Sequence, residues 1–214
     1  KKIKVIYYGV DKTYFDKTTG YKKTKHLELI KKEKNTHFLF CCIARHVNQK
    51  SLDFLILSFA EFSKKNVNCK LLLVGDGPER EKLIQISKKA NIYKKIIWIK
   101  FSEYIKDILT LSDAFVLPSK YEGFGIVFLE AMLTNTPIIS TNISAIPEVI
   151  TNNYNGILIE PNNINQMVLA LKKIQNKKLV KKFNINSKKL LSSKFNLEVM
   201  FKKTNNIYYN VLNV

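Results

Sequence analysis

Arginine is nearly missing from this 214-residue chain: only Arg45 and Arg80 occur among 36 basic residues. Acidic side chains are few as well, 17 in all, which leaves a formal net charge of +19. The three cysteines (Cys41, Cys42 and Cys69) are too few for a disulfide framework. Two are adjacent within an apolar run, so all three read as buried thiols of a reducing compartment. Seven glycines and five prolines exclude collagen-like and low-complexity classes. No apolar stretch approaches the ~18 residues of a membrane span. The opening Lys-Lys-Ile-Lys-Val has neither an initiator Met nor a signal-peptide core, and the chain is expected to be a piece of something longer.

What is present is a globular composition. With 46% hydrophobic and 25% charged residues the chain can bury a core. The charge is carried by lysine in a sequence also rich in Asn and Ile, a pattern a coding bias would produce. A merely solvated, lysine-studded surface is therefore a full alternative to a functional one. Of the functional options, nucleic acid is disfavoured, because such modules lean on Arg and interleaved aromatics. An anionic membrane surface, where Lys serves as well as Arg, is the better candidate.

The chain begins with a short strand-like run at 2–8 ending at Gly9, followed by a polar stretch to residue 36. That stretch reads as a linker with one helix near 25–33. Apolar runs of strand length then occur at 38–44, 70–74, 96–101, 114–117, 138–140 and 157–159. Helical periodicities lie between them, at 51–64, 79–90, 104–112, 125–134 and 145–150, and three more follow near 163–175, 178–192 and 196–212. Continuous apolar strands alternating with amphipathic helices predict an α/β fold, a Rossmann-like parallel sheet with helices on both faces. Ligands bind at the carboxyl ends of strands in such sheets, and Gly75, Gly77, Gly123 and Gly125 all fall at such turns. A plain tight turn is an even alternative for Gly77-Pro78.

Arg45 lies just past the first regular strand, with Lys50 five residues on. An Arg in a chain that otherwise uses Lys suggests a need for the planar guanidinium, which grips phosphate oxygens bidentately. An exposed surface pair is the bland alternative. The most informative segment is Glu122-Gly123-Phe124-Gly125-Ile126-Val127-Phe128-Leu129-Glu130. Its glycines allow a ligand close to the backbone, and the helix start offers unpaired N–H groups to an anion. Glu122 could instead simply complement the helix dipole. Glu130 interrupts an apolar run and needs a partner. His46 could be taken for a base, but a neighbouring guanidinium would disfavour its charged form. No His/Cys/Asp spacing suggests a metal site.

Taken together, these segments resemble the carboxyl-terminal, donor-binding domain of GT-B-fold retaining glycosyltransferases, the glycosyl transferases group 1 family. Glu122 and Glu130 match its EX7E motif, and Arg45 and Lys50 its paired basic residues. Gly75-Asp76-Gly77-Pro78-Glu79 matches its Gly-x-Gly-Pro turn, Ser112 to Ser119 the run before the EX7E, and Ile146-Pro147-Glu148-Val149 a later segment. The chain departs from the pattern in three places. Ser144-Ala145 stands for the usual Gly-Gly, Ala44 for a Gly, and His46 for an apolar residue.

The resemblance implies a nucleoside-diphosphate sugar as donor substrate, with no cofactor and no metal. Arg45 and Lys50 would neutralise the pyrophosphate, aided by Gly75 and by backbone N–H groups at Gly123, Phe124, Gly125 and Ile126. Glu122 would hold the transferred sugar and Glu130 the ribose, with Glu122, Arg45 and Lys50 forming the catalytic set. Residues 1–36 would be an interdomain linker, 37–195 the donor domain, and 196–214 a helix packing toward an amino-terminal acceptor domain. The implied activity is that of a hexosyltransferase of bacterial polysaccharide or glycolipid assembly, cytoplasmic and peripheral to the membrane. Rival readings are a donor-binding subunit of a separate partner chain, a GT-B nucleotide-sugar epimerase, and, last, a nucleic-acid binder.

Overall fold

A computed structural model of the chain describes residues 3–11, 13 and 24–212. Most of the polar stretch before residue 24 lies outside the described residues. Six strands form one parallel sheet: β1 (Phe38–Ile43), β2 (Cys69–Val74), β3 (Ile96–Ile99), β4 (Ala114–Leu117), β5 (Ile138–Thr141) and β6 (Gly156–Ile159). Their order across the sheet is β3-β2-β1-β4-β5-β6. The strands read as unbroken apolar runs because both faces are covered, so no alternation with polar residues is needed. Leu39, Phe40, Cys41 and Cys42 of β1 are all buried. The Phe40 ring meets Phe59 and Phe62 edge-on, at centroid distances of 6.1 and 5.5 Å. The Cys41 thiol is pushed up to about 12 by burial, which fits an inert core residue.

The helices covering the sheet are α1 (Lys25–Lys34), α2 (Leu52–Ser63), α3 (Arg80–Lys89), α4 (Ile105–Leu111) and α5 (Ile126–Leu133), then a single turn α6 (Ile146–Val149). Three more close the chain: α7 (Ile164–Lys173), α8 (Lys177–Ser193) and α9 (Leu197–Leu212). Asparagines start two of these, since the Asn163 side chain accepts from Gln166 N–H and that of Asn176 from Leu179 N–H. α1 falls within the stretch read as a linker, yet its Leu27 and Ile30 are buried in the core. That part of the stretch packs as a component of the domain.

The structure corrects two expectations. Described residues of the run at 2–8 form no strand, and Ile3 and Val5 are exposed. A strand needs a neighbouring strand for its N–H and C=O groups, whereas here backbone bonding begins just past the run, with Gly9 N–H on Met200 Sδ at 3.4 Å and Val10 N–H on Phe195 O at 2.9 Å. Here the start of the chain crosses the start of α9, so closely that a Cβ on Gly9 would sit 2.4 Å from Asn196 O. The run at 96–101 is the second case: β3 stops at Ile99, and Phe101 is 82% exposed.

Candidate functional site

The strand order places the site. β1 continues to β2 and β3 on one side, while β4 is laid against its other side, so the crevice at the carboxyl ends of β1 and β4 is a topological switch point. The loops leaving those strands are fastened together. Lys120 N–H donates to Gln49 O at 2.8 Å, Gln49 Nε2 to Tyr121 O at 2.8 Å, and Lys120 Nζ to Asn48 Oδ1 at 2.6 Å. At the centre, Lys50 Nζ lies 2.6 Å from Glu122 Oε1, and Ser119 Oγ donates to the same oxygen at 2.7 Å. Glu122 is buried, with a residual exposure of 7%. Both residues were singled out from sequence; their pairing was not.

A cleft of about 260 Å³ lies where β1 and β2 end, lined by Arg45, Gly75, Phe101, Val127 and Glu130 among others. Larger grooves of about 660 and 950 Å³ lie at α8 and along the β6 edge, but neither contains any of these groups. Chemistry, not volume, marks the smaller cleft. Arg45 is exposed and its guanidinium has no hydrogen-bond or ion-pair partner among the described residues. Burial alone raises the Glu130 carboxyl above its ordinary value, so this group is poised to accept a hydrogen bond or to share a proton. Gly75 is at φ +139, and a Cβ there would lie 1.9 Å from Ala44 O. The glycine is required because the turn after β2 presses on the backbone end of β1, next to Arg45.

The rest of the segment from Glu122 to Glu130 divides into open and packed parts. A Cβ on Gly123 would meet nothing within 4 Å, which leaves clear space beside the loop. Gly125 at φ +77 caps α5, and a side chain there would strike the Phe128 ring at 2.6 Å. Ile126 is the first helical residue and is 51% exposed, and a first helical turn leaves its N–H groups free. Phe124 turns away into an aromatic cluster, with ring centroids 6.1 Å from Tyr7, 5.6 Å from Tyr8 and 5.8 Å from Phe195. Thus Arg45, Gly75 and Glu130 share one cleft, Lys50 and Glu122 form a pair outside its lining, and Gly123, Phe124, Gly125 and Ile126 build the turn that leads from Glu122 into α5.

Ser144 answers one departure from the family pattern. It holds the left-handed φ of +56 that a glycine would favour, and its hydroxyl donates to Glu122 O at 2.8 Å, securing the loop behind the carboxylate. His46 requires a change of cause. Its charged form is disfavoured first by burial and then by Arg80, not by the adjacent Arg45, with Asp76 opposing weakly. Both ring nitrogens are buried without a partner, as is Trp98 Nε1. Arg80 stacks over the Trp98 ring at 5.5 Å. His46 therefore serves as a neutral core residue, and its backbone bonds to Asp76 O and from Glu79 N–H hold the loop that carries Arg45.

Phe101 was missed by sequence reasoning, because an apolar residue ending an apolar run looks like core. Its flat, solvent-facing ring at the cleft is the kind of surface a planar ligand stacks on. Among the described residues no three His, Cys, Asp or Glu side chains are grouped to hold a metal, and no helix is long and apolar enough to cross a membrane.

The profile of the glycosyl transferases group 1 family matches residues 25–190. The chain is 30% identical, over 99% of its length and 55% of the relative's, to the Escherichia coli UDP-Gal:alpha-D-GlcNAc-diphosphoundecaprenol alpha-1,3-galactosyltransferase. Among solved structures, a carboxyl-terminal domain of a glycosyl transferase group 1 family protein from Francisella tularensis is 26% identical with TM-score 0.72, covering 88% of this chain and 100% of that one. S. aureus TarM, solved with fondaparinux, alpha-GlcNAc-glycerol and UDP, is 27% identical with TM-score 0.76, over 81% of this chain and 36% of that one. The chain spans about half the length of the curated relatives it matches, 54–55% for the first three.

Proposed function

Because the chain belongs to the glycosyl transferases group 1 family, we propose that it is the nucleotide-sugar-binding half of a retaining glycosyltransferase. The observation that carries this reading is that a Lys50–Glu122 ion pair and a cleft lined by Arg45, Gly75 and Glu130 both stand at the carboxyl end of the sheet. Cations beside a glycine turn and a helix start suit a pyrophosphate, and a half-buried carboxyl suits a ribose diol. The naming of UDP in both the E. coli relative and the TarM complex supports a nucleoside-diphosphate donor.

In this reading Arg45 grips the pyrophosphate, and the N–H groups at Gly125 and Ile126 receive its second phosphate. Lys50 stands between that phosphate and Glu122, so it can meet the leaving group while keeping the carboxylate oriented toward sugar hydroxyls. Glu130 accepts from the ribose, and the Phe101 ring covers the base. As the nucleoside diphosphate departs, charge develops on its terminal phosphate, where Arg45 and Lys50 stabilise it. An acceptor hydroxyl then attacks the same face of the sugar, its oxygen bonding to the anomeric carbon as the carbon–phosphate-oxygen bond breaks and its proton passing to the departing phosphate. Fixed cations can do this without a divalent metal.

The acceptor is supplied by an amino-terminal half, whether fused or separate, which α9 and its exposed Phe201, Tyr208 and Val211 would meet. Residues 37–195, with α1 packed into their core, are then the donor domain proper, and this half alone binds donor but transfers poorly. We place the enzyme in the cytoplasm, in assembly of a polysaccharide or glycolipid, with the transferred group a hexose.

A thermal-shift panel of nucleoside diphosphates and their sugars tests the reading. A true ligand at 100 times its dissociation constant stabilises by about 2.7 kcal/mol, with or without chelator. Glu130→Gln should weaken the bare diphosphate and the sugar donor alike, and Glu122→Gln the sugar donor only. Stabilisation by none of the nucleotides, or only with added metal, overturns it.

A further inference from the structure

Between Glu160 and Glu198 the chain has nine lysines and no acidic residue, so about half of the +19 net charge sits in this one segment. Coding bias explains many lysines, but it explains neither the missing carboxylates nor the way the helix sorts these side chains. Six of the nine are on α8: Lys177, Lys178, Lys181, Lys182, Lys188 and Lys189, all exposed. At about 100° per residue they share a single arc of roughly 140°, with Ile185 near its middle. Ile185 is 48% exposed, whereas Phe183, Asn186 and Ser187 on the other side are buried against the domain.

None of the six makes an ion pair among the described residues. The one nearby carboxylate, Asp113, lines the 660 Å³ groove beside α8, but it is already bonded to Lys34 and to Leu39 N–H at 2.8 Å. The groove opens at Phe38, where β1 begins, and so lies at the end of the sheet opposite the donor cleft. A lysine face without protein counter-charge concentrates positive potential on one side of the domain and attracts an anionic surface.

We infer that this face of α8 docks the protein on an anionic membrane surface, with the lysines on lipid phosphates and Ile185 entering the headgroup boundary. Three observations favour lipid over nucleic acid. The face has no guanidinium to read phosphates or bases bidentately, it shows no exposed aromatic ring for stacking, and its centre is aliphatic. A basic amphipathic helix with an apolar residue amid its lysines is the form that lies on a bilayer interface.

The experiment is sedimentation of the 214-residue protein with vesicles of phosphatidylcholine alone or of equal parts phosphatidylcholine and phosphatidylglycerol. Salt is set at about 0.05 M and about 0.5 M, where screening differs several-fold in range. Binding is expected only to the anionic vesicles and only at low salt. Replacing the six α8 lysines with Gln should lower the partition coefficient at least about thirtyfold. Replacing six exposed lysines elsewhere (Lys64, Lys65, Lys82, Lys88, Lys89 and Lys94) removes the same charge and should cost no more than about threefold.

Should six changes unfold α8, the triple variant Lys178→Gln, Lys182→Gln, Lys189→Gln carries the same comparison, with an expected loss of about sixfold. Equal losses from both sets, binding to neutral vesicles, or no binding at all overturns the proposal. So does tighter binding to duplex DNA than to anionic vesicles at one salt concentration. Nucleoside diphosphate binding should be unchanged in all these variants, so the donor reading stands or falls separately.

Discussion

The two ends of the sheet use positive charge in opposite ways. At the carboxyl end the cations are few and set among bonded loops: Lys50 is fixed on Glu122 by a 2.6 Å bond, and Arg45 follows Ala44, the residue against which the Gly75 turn packs. At the other end six lysines on α8 share one face with no assigned partner. Affinity at the first end depends on geometry and is sensitive to single atoms; at the second it depends on the sum of charge and is sensitive to salt. The comparison teaches that a net charge of +19 is two separate quantities, one local and one diffuse.

The sharpest way to break the contrast is at Gly75. Gly75→Ala puts a Cβ 1.9 Å from the Ala44 carbonyl at a φ of +139, so a loss on the order of 3 kcal/mol or more is expected in a urea melt. Next comes the buried pair. Lys50→Met leaves Glu122 with only the Ser119 hydroxyl and should cost about 2 kcal/mol, most of it recovered in the Lys50→Met/Glu122→Gln double variant. If the double variant is no better than the single one, the pair is not coupled as the geometry implies.

Arg45→Lys keeps the charge but loses the fork, so calorimetry should show nucleoside diphosphate affinity weaker by about 1.5 kcal/mol with stability unaltered. His46→Leu is smaller still. The folded protein disfavours protonation of His46, through burial and Arg80, while the unfolded chain takes up the proton near pH 6.5. Stability is therefore complete above that pH and declines as pH falls below it. The leucine substitution should flatten that part of the profile by about 1 kcal/mol at pH 5, read by melts across the pH range. The smallest effect sharpens the other side of the comparison. Any single α8 lysine changed to Gln should move stability by less than about 0.5 kcal/mol.

Much of this was legible in the sequence, and the failures have physical causes. The strands from β1 to β6 were legible because a two-sided sheet demands continuous apolar runs, and the turns because Gly75 and Gly125 occupy φ values that side chains avoid. Arg45 was conspicuous as an arginine among lysines. The Lys50–Glu122 bond was not readable, since nothing in a linear pattern reports contact across 72 residues. Phe101 and the run at 2–8 were misread for the same reason in two forms: apolar side chains predict burial only if something is there to bury them. Lysine counting gave the net charge but could not show that α8 collects six of them on one arc.

The stitching of the β1 and β4 loops also governs when a binding site can exist during folding. The Lys50–Glu122, Gln49–Tyr121 and Lys120–Asn48 contacts each join residues 72 apart in the chain. β1 and β4 share a register of only two residue pairs, Phe40 with Ala114 and Cys41 with Phe115. β2 and β3 with their helices lie between them in the chain and on the other side of β1. Contacts of such long range are slow to form, because loop entropy is lost before they contribute. A chain stalled at β1–β2–β3 would have a hydrophobic core and native-like helices but no place for a pyrophosphate. On the proposed reading, nucleotide binding would be a probe of completed assembly: a ligand that acts on the native state alone should slow unfolding and leave the early folding phase untouched.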